Sequence, residues 1–170
     1  MPLLGVSSYI EAQTFRKNSM NVTLEQLGYG LAGPTRINGA LCFGERAIYF
    51  LCCDSGRLGK YKFPAEFGTI GALLNQFKED GKPPAFSEDE LAALIAQVIA
   101  TPPANVPAAK FSFVLPMNQI TLFKRSMWSG SKIHTTEGKK IGIWVPGFDG
   151  QLRENAKAWA KTRSIECQGF

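Results

Sequence analysis

Two separate parts of the chain alternate hydrophobic and polar positions with the period of two that is typical of β-strands. The first part, residues 37–63, contains three short runs that are separated by turn residues. The second part, residues 111–145, contains about four more. We therefore predict about seven antiparallel strands, three or four on each side of the segment that separates the two parts. The predicted strands lie over residues 40–43, 47–53, 58–63, 111–116, 118–125, 132–136 and 140–145.

Between the two parts the hydrophobic residues take the spacing of an amphipathic helix. A first helix is predicted to end at Gly81 and Pro83. Ser87 and Glu90 have the spacing of a capping box, which predicts the start of a second helix that continues to about Ala100. The chain therefore carries a helical hairpin, inserted at about residues 64–103.

The end of the chain predicts one more amphipathic helix. Asp149 is a good N-cap residue, and Leu152, Ala156, Trp159 and Ala160 recur on one helical face. Seven strands in two packed sheets leave an open end, and an apolar helix can close it. We predict an α+β fold, mostly β: a seven-stranded sandwich or partly open barrel capped by a C-terminal helix. Residues 1–36 are expected to be a lead-in that packs on the core, 37–163 the domain itself, and 164–170 a tail.

Three segments are similar to parts of pleckstrin-homology-like (PH-like) domains of the GRAM or bacterial PH type. Residues 39–50 resemble the opening hairpin, 115–120 the segment that leads into the later strands, and 132–140 the last hairpin before the terminal helix. The resemblance covers roughly residues 37–63 and 111–163 and implies a PH-like sandwich with a binding function. The helical insertion and the lead-in depart from a minimal domain of this kind.

The basic residues are concentrated in the second half. The net charge is +5, and residues 110–140 hold six Lys or Arg side chains against one acid, Glu137. Such an asymmetry can steer an anionic partner to one side of a protein, although it also suits a solvated sheet face. The candidate residues for binding an anion or a lipid are Lys124, Arg125, Trp128, Lys132, Lys139 and Lys140.

Phospholipid binding is the alternative that the resemblance implies. Lipid-binding PH domains usually carry several basic residues around the first hairpin turn. Here that turn holds only Arg46, with Glu45 beside it. This departure lowers the expectation of phospholipid binding, and the expected ligand is a protein or peptide, or an anionic surface.

The apolar face of the helical hairpin needs a covering surface. That surface is either the sheet of the same chain or a second molecule, so self-association or a protein partner remains open. The candidate partner-binding residues are Phe67, Ile70, Leu74, Leu91, Leu94, Ile95 and Val98.

Residues that carry catalytic or metal chemistry do not form a recognisable set. His134 is the only histidine, no CxxC spacing occurs, and the acids Glu88 to Glu90 suit the start of a helix. We predict no catalytic site, no metal and no cofactor. The apolar surroundings of the cysteines predict reduced thiols in a cytoplasmic protein, which a basic surface could also hold at the periphery of a membrane.

The predicted function is that of a non-catalytic binding module. The alternative from another class is a small enzyme whose site lies between the β body and the helical insertion. Nucleic-acid binding would need exposed aromatic residues as stacking platforms, and we expect the core to use most of them.

Overall fold

Eight strands form one hydrogen-bonded sheet in the computed structural model, which describes residues 21–29, 37–55, 62–82, 84–101, 108–126, 130–144 and 157–169. The strands are β1 (Asn21–Tyr29), β2 (Ile37–Phe43), β3 (Ala47–Ser55), β4 (Phe113–Pro116), β5 (Ile120–Ser126), β6 (Gly130–Thr135), β7 (Lys140–Trp144) and β8 (Glu166–Gln168). The helices are α1 (Gly68–Asp80), α2 (Glu88–Ala100), α3 (Ala108–Phe111) and α4, described over residues 157–162; single 3-10 turns cover Ala65–Phe67 and Met117–Gln119.

The sheet curls strongly upon itself. Its strand order is β4-β3-β2-β1-β7-β6-β5-β8, and every pair is antiparallel except β5 with β8. Six strand spacings separate β4 from β5, which would be about 29 Å in a flat sheet. Only the turn Met117–Gln119 joins these two strands, so Pro116 and Ile120 are at most about 14 Å apart. The two halves of the sheet therefore face each other.

The first core fills the space inside the curled sheet, and α4 closes it. The Trp159 ring lies 5.6 Å from the Phe43 ring and 6.1 Å from the Phe123 ring, and its indole N–H donates to the carbonyl of Gly44. Trp159 and Ala160 are buried in this core, and both lie on the helical face that the sequence pattern predicted to be apolar. The buried residues of this core are Ile37, Leu41, Phe43, Ile48, Phe50, Cys52, Leu115, Ile120, Phe123, Ile133, Ile141, Trp159, Ala160 and Ile165.

A second core lies on the outer face of β2 and β3, where α1 and α2 cover it. The Ser87 hydroxyl accepts from the Glu90 amide, and the Glu90 carboxylate accepts from the Ser87 amide, so the predicted capping box is present. Gly81 ends α1 in a left-handed conformation, as predicted. The sheet contributes Ala40, Cys42, Ala47, Tyr49, Leu51 and Cys53; the segment 63–98 contributes Phe63, Phe67, Ile70, Leu74, Phe86, Leu91, Leu94, Ile95 and Val98.

The coarse α+β prediction holds, and two boundaries change. Strand β1 pairs with β2 on one side and β7 on the other, so residues 21–29 lie in the middle of the sheet rather than in a lead-in. Strand β8 pairs in parallel with β5, which makes part of the predicted tail a strand. The predicted strand over 58–63 falls mostly outside the described residues, as do Asp149, Leu152 and Ala156.

Strict alternation along β5 is interrupted. The sequence pattern placed Ile120 and Leu122 on one face and Phe123 on the other, but Ile120 and Phe123 are both buried inside. The register between β5 and β6 shifts between Ile120 and Leu122. One extra residue in one strand reverses the face of every residue after it. The shift therefore puts Phe123 in the core and Lys124 outside.

Candidate functional site

A cluster of lysines occupies the outer face of β5, β6 and β7. In these strands Phe123, Ile133 and Ile141 point into the core. Since successive strand residues point to opposite faces, their neighbours Lys124, Lys132, His134 and Lys140 point outwards. Lys124 lies directly opposite Lys132, and His134 directly opposite Lys140. We call Lys124, Lys132, Lys140 and the central His134 the basic face.

The hairpin turn between β6 and β7 adds a fourth lysine at one end of this face. Gly138 has φ +78°, a left-handed conformation that L side chains rarely adopt, and its amide donates to the Thr135 carbonyl over 3.0 Å. The Thr135 hydroxyl accepts from the Lys139 amide at 3.1 Å. The Lys139 ammonium lies 3.1 Å from the Glu137 carboxylate, and both side chains are exposed. An exposed pair of this kind contributes about 0–1 kcal/mol, so Lys139 can exchange partners easily.

The pKa of His134 reflects the positive charge of the basic face. Its pKa is lowered, first by partial desolvation and then by the positive charges of Lys140, Lys124 and Lys132. Its Nε2 atom has no hydrogen-bond partner in the part of the chain that the structure describes. The neutral imidazole is therefore favoured, and an anion bound nearby would oppose this shift.

An acid lies at the far edge of the same face. Glu166 of β8 is paired with Leu122 of β5. The side-chain amide of Gln168 donates to the Glu166 carboxylate over 2.7 Å. Together with Glu137 it places one carboxylate near each end of the face. The centre of the face, around His134, is basic.

Two predicted anion-binding residues do not join the described cluster. Arg125 follows Lys124 in β5, so its side chain points to the opposite side of the sheet, and it is half-buried. The prediction that Arg125 acts with the lysines is therefore corrected. Trp128 lies outside the described residues.

A groove of about 830 Å³ adjoins the basic face. One wall is β4, with Phe113, Val114 and Leu115, and the other is the β6–β7 hairpin. Its size is within the range of ordinary ligand pockets, about 300–1,000 Å³. The remaining lining residues are Gln119, Lys132, Thr135, Glu137, Gly138, Lys139, Lys140, Ile141 and Gly142.

The turn between β2 and β3 is occupied by contacts within the chain. The Arg46 guanidinium donates to Asp89, and the Arg46 amide donates to the Glu88 carboxylate at 3.1 Å. The hydrogen bond and the charge of Asp89 raise the pKa of Arg46. A side chain on Gly44 would collide with Glu88, so glycine is needed for this close approach.

Tyr49 completes this connection between the sheet and α2. Its hydroxyl donates to the Glu88 carboxylate over 3.0 Å. Burial, followed by this hydrogen bond, raises the pKa of Tyr49 to about 12. The start of α2 is thus attached to the turn and to the outer face of β3.

The seven residues predicted to contact a partner are packed inside the molecule. Each is at most 9% exposed, and all seven belong to the core between the hairpin and the sheet. The sequence left open whether the sheet of the same chain or a second molecule covers the apolar face of the helical hairpin. In the structure, the sheet of the same chain covers it. Ile99, at 47% exposed, is the large apolar residue of α2 that faces solvent. We therefore do not retain Phe67, Ile70, Leu74, Leu91, Leu94, Ile95 and Val98 as a partner surface.

The cysteines are free thiols. Cys42, Cys52 and Cys53 are buried, and burial raises the pKa of the Cys42 thiol. Cys42 is paired with Tyr49 and Cys52 with Gly39, so the register keeps these cysteines apart across β2 and β3. The geometry therefore does not support a disulfide across β2 and β3.

Sequence patterns did not reveal the groove. It depends on the curl of the sheet, which brings β4 close to the β6–β7 hairpin although they are not hydrogen-bonded neighbours. In the fold, the apolar residue Val114 is 39% exposed on β4, at one end of the sheet, and this exposure indicates the groove. The alternation of apolar and polar residues does not show that β4 lies there.

Within the described ranges no group of three or more His, Cys, Asp or Glu side chains could hold a metal ion. No helix in the same ranges is both long and apolar enough to cross a membrane. In comparisons with known proteins, no family model, no curated protein and no solved structure matches this chain.

Proposed function

We propose that the chain is a non-catalytic binding module of the PH-like type, which binds an acidic surface of a partner protein through its basic face. The observation that carries this proposal is the position of Lys124, Lys132 and Lys140 around His134 on one outer sheet face. Like charges placed directly opposite each other destabilise a sheet. An anionic partner offsets that repulsion, which favours a complex over the free face.

The strand order supports the PH-like assignment. The first four strands and the next three occupy two facing halves of one curled sheet, and an amphipathic helix with Trp159 closes the space between them. Strands β2 to β7 fall within residues 37–63 and 111–163, which carry the resemblance, whereas β1 lies outside them. The eighth strand and the helical insertion are additions to that plan.

Contacts at the first hairpin turn favour a protein over a phospholipid as the partner. Arg46 is the basic residue of that turn, and it is engaged by Glu88 and Asp89 of α2. A phosphate would have to displace both carboxylates. The basic face, by contrast, lies on strands and is spread over three of them, which suits an extended acidic surface.

The enzyme alternative placed a site between the β body and the insertion. In the described residues that interface is filled by apolar side chains from both sides. Its polar contacts are structural: Asn75 bonds both the amide and the carbonyl of Phe63, and Tyr49 bonds Glu88. Binding at the basic face is therefore the function that the geometry supports best.

The proposal can be tested with fluorescein-labelled poly-L-glutamate as the acidic probe. Fluorescence anisotropy would measure its binding to the wild type and to the triple variant Lys124→Glu, Lys132→Glu, Lys140→Glu. We expect binding by the wild type that weakens with added salt, because the contacts are ionic and exposed. The triple variant is expected to bind at least about tenfold more weakly, since it loses contacts of about 0.5–1 kcal/mol each and adds repulsion.

A matched variant separates this surface from the overall charge. Lys62→Glu, Lys82→Glu and Lys161→Glu change the net charge equally at exposed lysines elsewhere. Equal losses in the two triple variants would contradict a defined site. Vesicles that contain phosphatidylserine form a second arm: if they bind through Lys124, Lys132 and Lys140 and poly-L-glutamate does not, the partner is a membrane and the proposal is wrong.

A further inference from the structure

Strand β4 is at one end of the strand order. It pairs with β3 on one side, and in the described part of the chain no strand pairs with its other side, which we call its open edge. Val114 in the middle of β4 is 39% exposed. An unpaired edge with an apolar residue is a template for another strand, and proteins usually protect such edges.

The register shows which backbone groups of β4 face outwards. The Met117 amide donates to the Arg46 carbonyl at 3.0 Å, one position beyond the pair of Pro116 with Ala47. In an antiparallel pair, hydrogen-bonded and non-hydrogen-bonded positions alternate. Leu115 and Phe113 therefore bond to β3. The N–H and C=O of Val114 and the C=O of Pro116 point to the open edge.

The groove runs along this edge. It contacts Phe113, Val114 and Leu115, three consecutive residues whose side chains alternate between the two faces of the sheet. A cavity that touches all three must follow the strand from the side. A strand added at this edge would lie about 4.8 Å from β4.

The opposite wall supplies charge. Lys132, Lys139 and Lys140 line the groove, with Glu137 as the one acid among the lining residues. Phe113, Leu115 and Ile141 supply apolar surface. An added strand would present alternate side chains to these two environments, apolar ones to the interior and acidic ones to the lysines.

We propose that the groove between β4 and the β6–β7 hairpin binds an extended segment of a partner protein, with alternating apolar and acidic residues, as a strand added to the edge of β4. Val114 and Pro116 make the backbone hydrogen bonds. Lys132, Lys139 and Lys140 select the acidic side chains. This inference rests on the proposed function, since it names how the acidic partner is held.

The test begins with selection from a displayed library of random octapeptides on the full chain. The expected result is enrichment of peptides in which Asp or Glu alternates with apolar residues. One enriched peptide is then synthesised with a single N-methyl group at each position in turn, which removes one backbone donor and leaves the protein unchanged. Methylation at one or two alternate positions should weaken binding at least tenfold, and methylation at the positions between them less than threefold.

Two protein variants locate the bound strand. Val114→Pro removes the outward N–H from an edge strand, a place where proline is tolerated, and should weaken the peptide at least tenfold. Val114→Thr keeps the N–H and the branched shape and is the control. The absence of enriched peptides, enrichment without acidic residues, or equal effects of all N-methyl groups would overturn the inference.

The outcome also separates the two proposals. If poly-L-glutamate binding depends on Lys124, Lys132 and Lys140 while the N-methyl series shows no alternation, the acidic-partner function stands and strand addition is wrong. If poly-L-glutamate does not bind, but the peptides bind and the N-methyl series shows the expected alternation, strand addition in the groove stands and the proposed function of the basic face is wrong.

Discussion

The outer faces of the two halves of the sheet differ in nearly every respect. On β2 and β3 the outward residues are apolar or small, and α1 and α2 cover them. On β5, β6 and β7 the outward residues are Leu122, Lys124, Lys132, His134 and Lys140, and the structure describes no helix over them. In the described residues, β2 and β3 are thus buried on both faces, whereas β5, β6 and β7 are buried on one.

This contrast shows how burial follows from sequence. Residues 47–53 are apolar throughout, a pattern typical of strands that are buried on both sides. Residues 132–134 place the apolar Ile133 between the polar Lys132 and His134, which is typical of a strand with one solvated face. The helical insertion therefore contributes to the stability of β2 and β3, and among the described residues no helix covers the outer face of β5, β6 and β7.

The same substitution on the two outer faces should have very different effects. Leu91→Ala removes a fully buried side chain of α2 and should lower the free energy of unfolding by about 2–5 kcal/mol. Leu122→Ala acts on a half-buried residue of the open face and should lower it by less than about 1.5 kcal/mol, because less apolar area is lost. Urea denaturation measures both. Equal losses of unfolding free energy would show that the outer face of β5, β6 and β7 is also covered.

The connection between α2 and the first half should appear in the pH dependence of stability. The pKa of Tyr49 is about 12 in the folded chain, above its ordinary value of 10. Its contribution is fully present below pH 10 and is lost as the pH rises towards 12, because the unfolded state ionises first. Tyr49→Phe should cost about 1–2 kcal/mol at pH 7.

The matching measurement is urea denaturation at pH 8, 10 and 11. The difference in unfolding free energy between wild type and Tyr49→Phe should shrink as the pH rises above 10. A difference that stays constant, or grows, would mean that Tyr49 and Glu88 are not bonded. Tyr61→Phe, which changes another tyrosine, is the control for the general effect of alkaline pH.

The smallest expected effect is a change in the pKa of His134 on the basic face. Lys140→Gln should raise the pKa of His134, and Lys132→Gln should raise it less, because Lys140 is the strongest of the charged causes that lower this pKa. The chain has one histidine, so a proton NMR titration reports it without ambiguity. An unchanged pKa in both variants would place these lysines away from His134.

The sequence predicted much of the fold because its signals are local. The capping box at Ser87, the helix end at Gly81 and the buried face around Trp159 each depend on residues close in the chain. The position of β1 depends instead on pairing with β7, more than a hundred residues away. Alternation cannot reveal such a partner, and so residues 21–29 were assigned to a lead-in.

The site was predicted in part for a similar reason. Four of its lysines were identified from composition and strand position, and the pairs Lys124 with Lys132 and His134 with Lys140 bring three of them around the histidine. Arg125 was included because neighbouring strand ends could bring the basic residues together, although alternation places its side chain opposite that of Lys124. Only the bulge before Leu122 decides which of these two neighbours faces out.

The proposed function is that the basic face binds an acidic partner. The most direct test is the pKa of His134, measured by proton NMR with and without saturating poly-L-glutamate. Desolvation lowers this pKa most, and the lysine charges lower it further. Carboxylates bound to Lys124, Lys132 and Lys140 would neutralise those charges, so we expect a higher value in the complex. A complex that forms while the pKa of His134 stays unchanged would contradict the account.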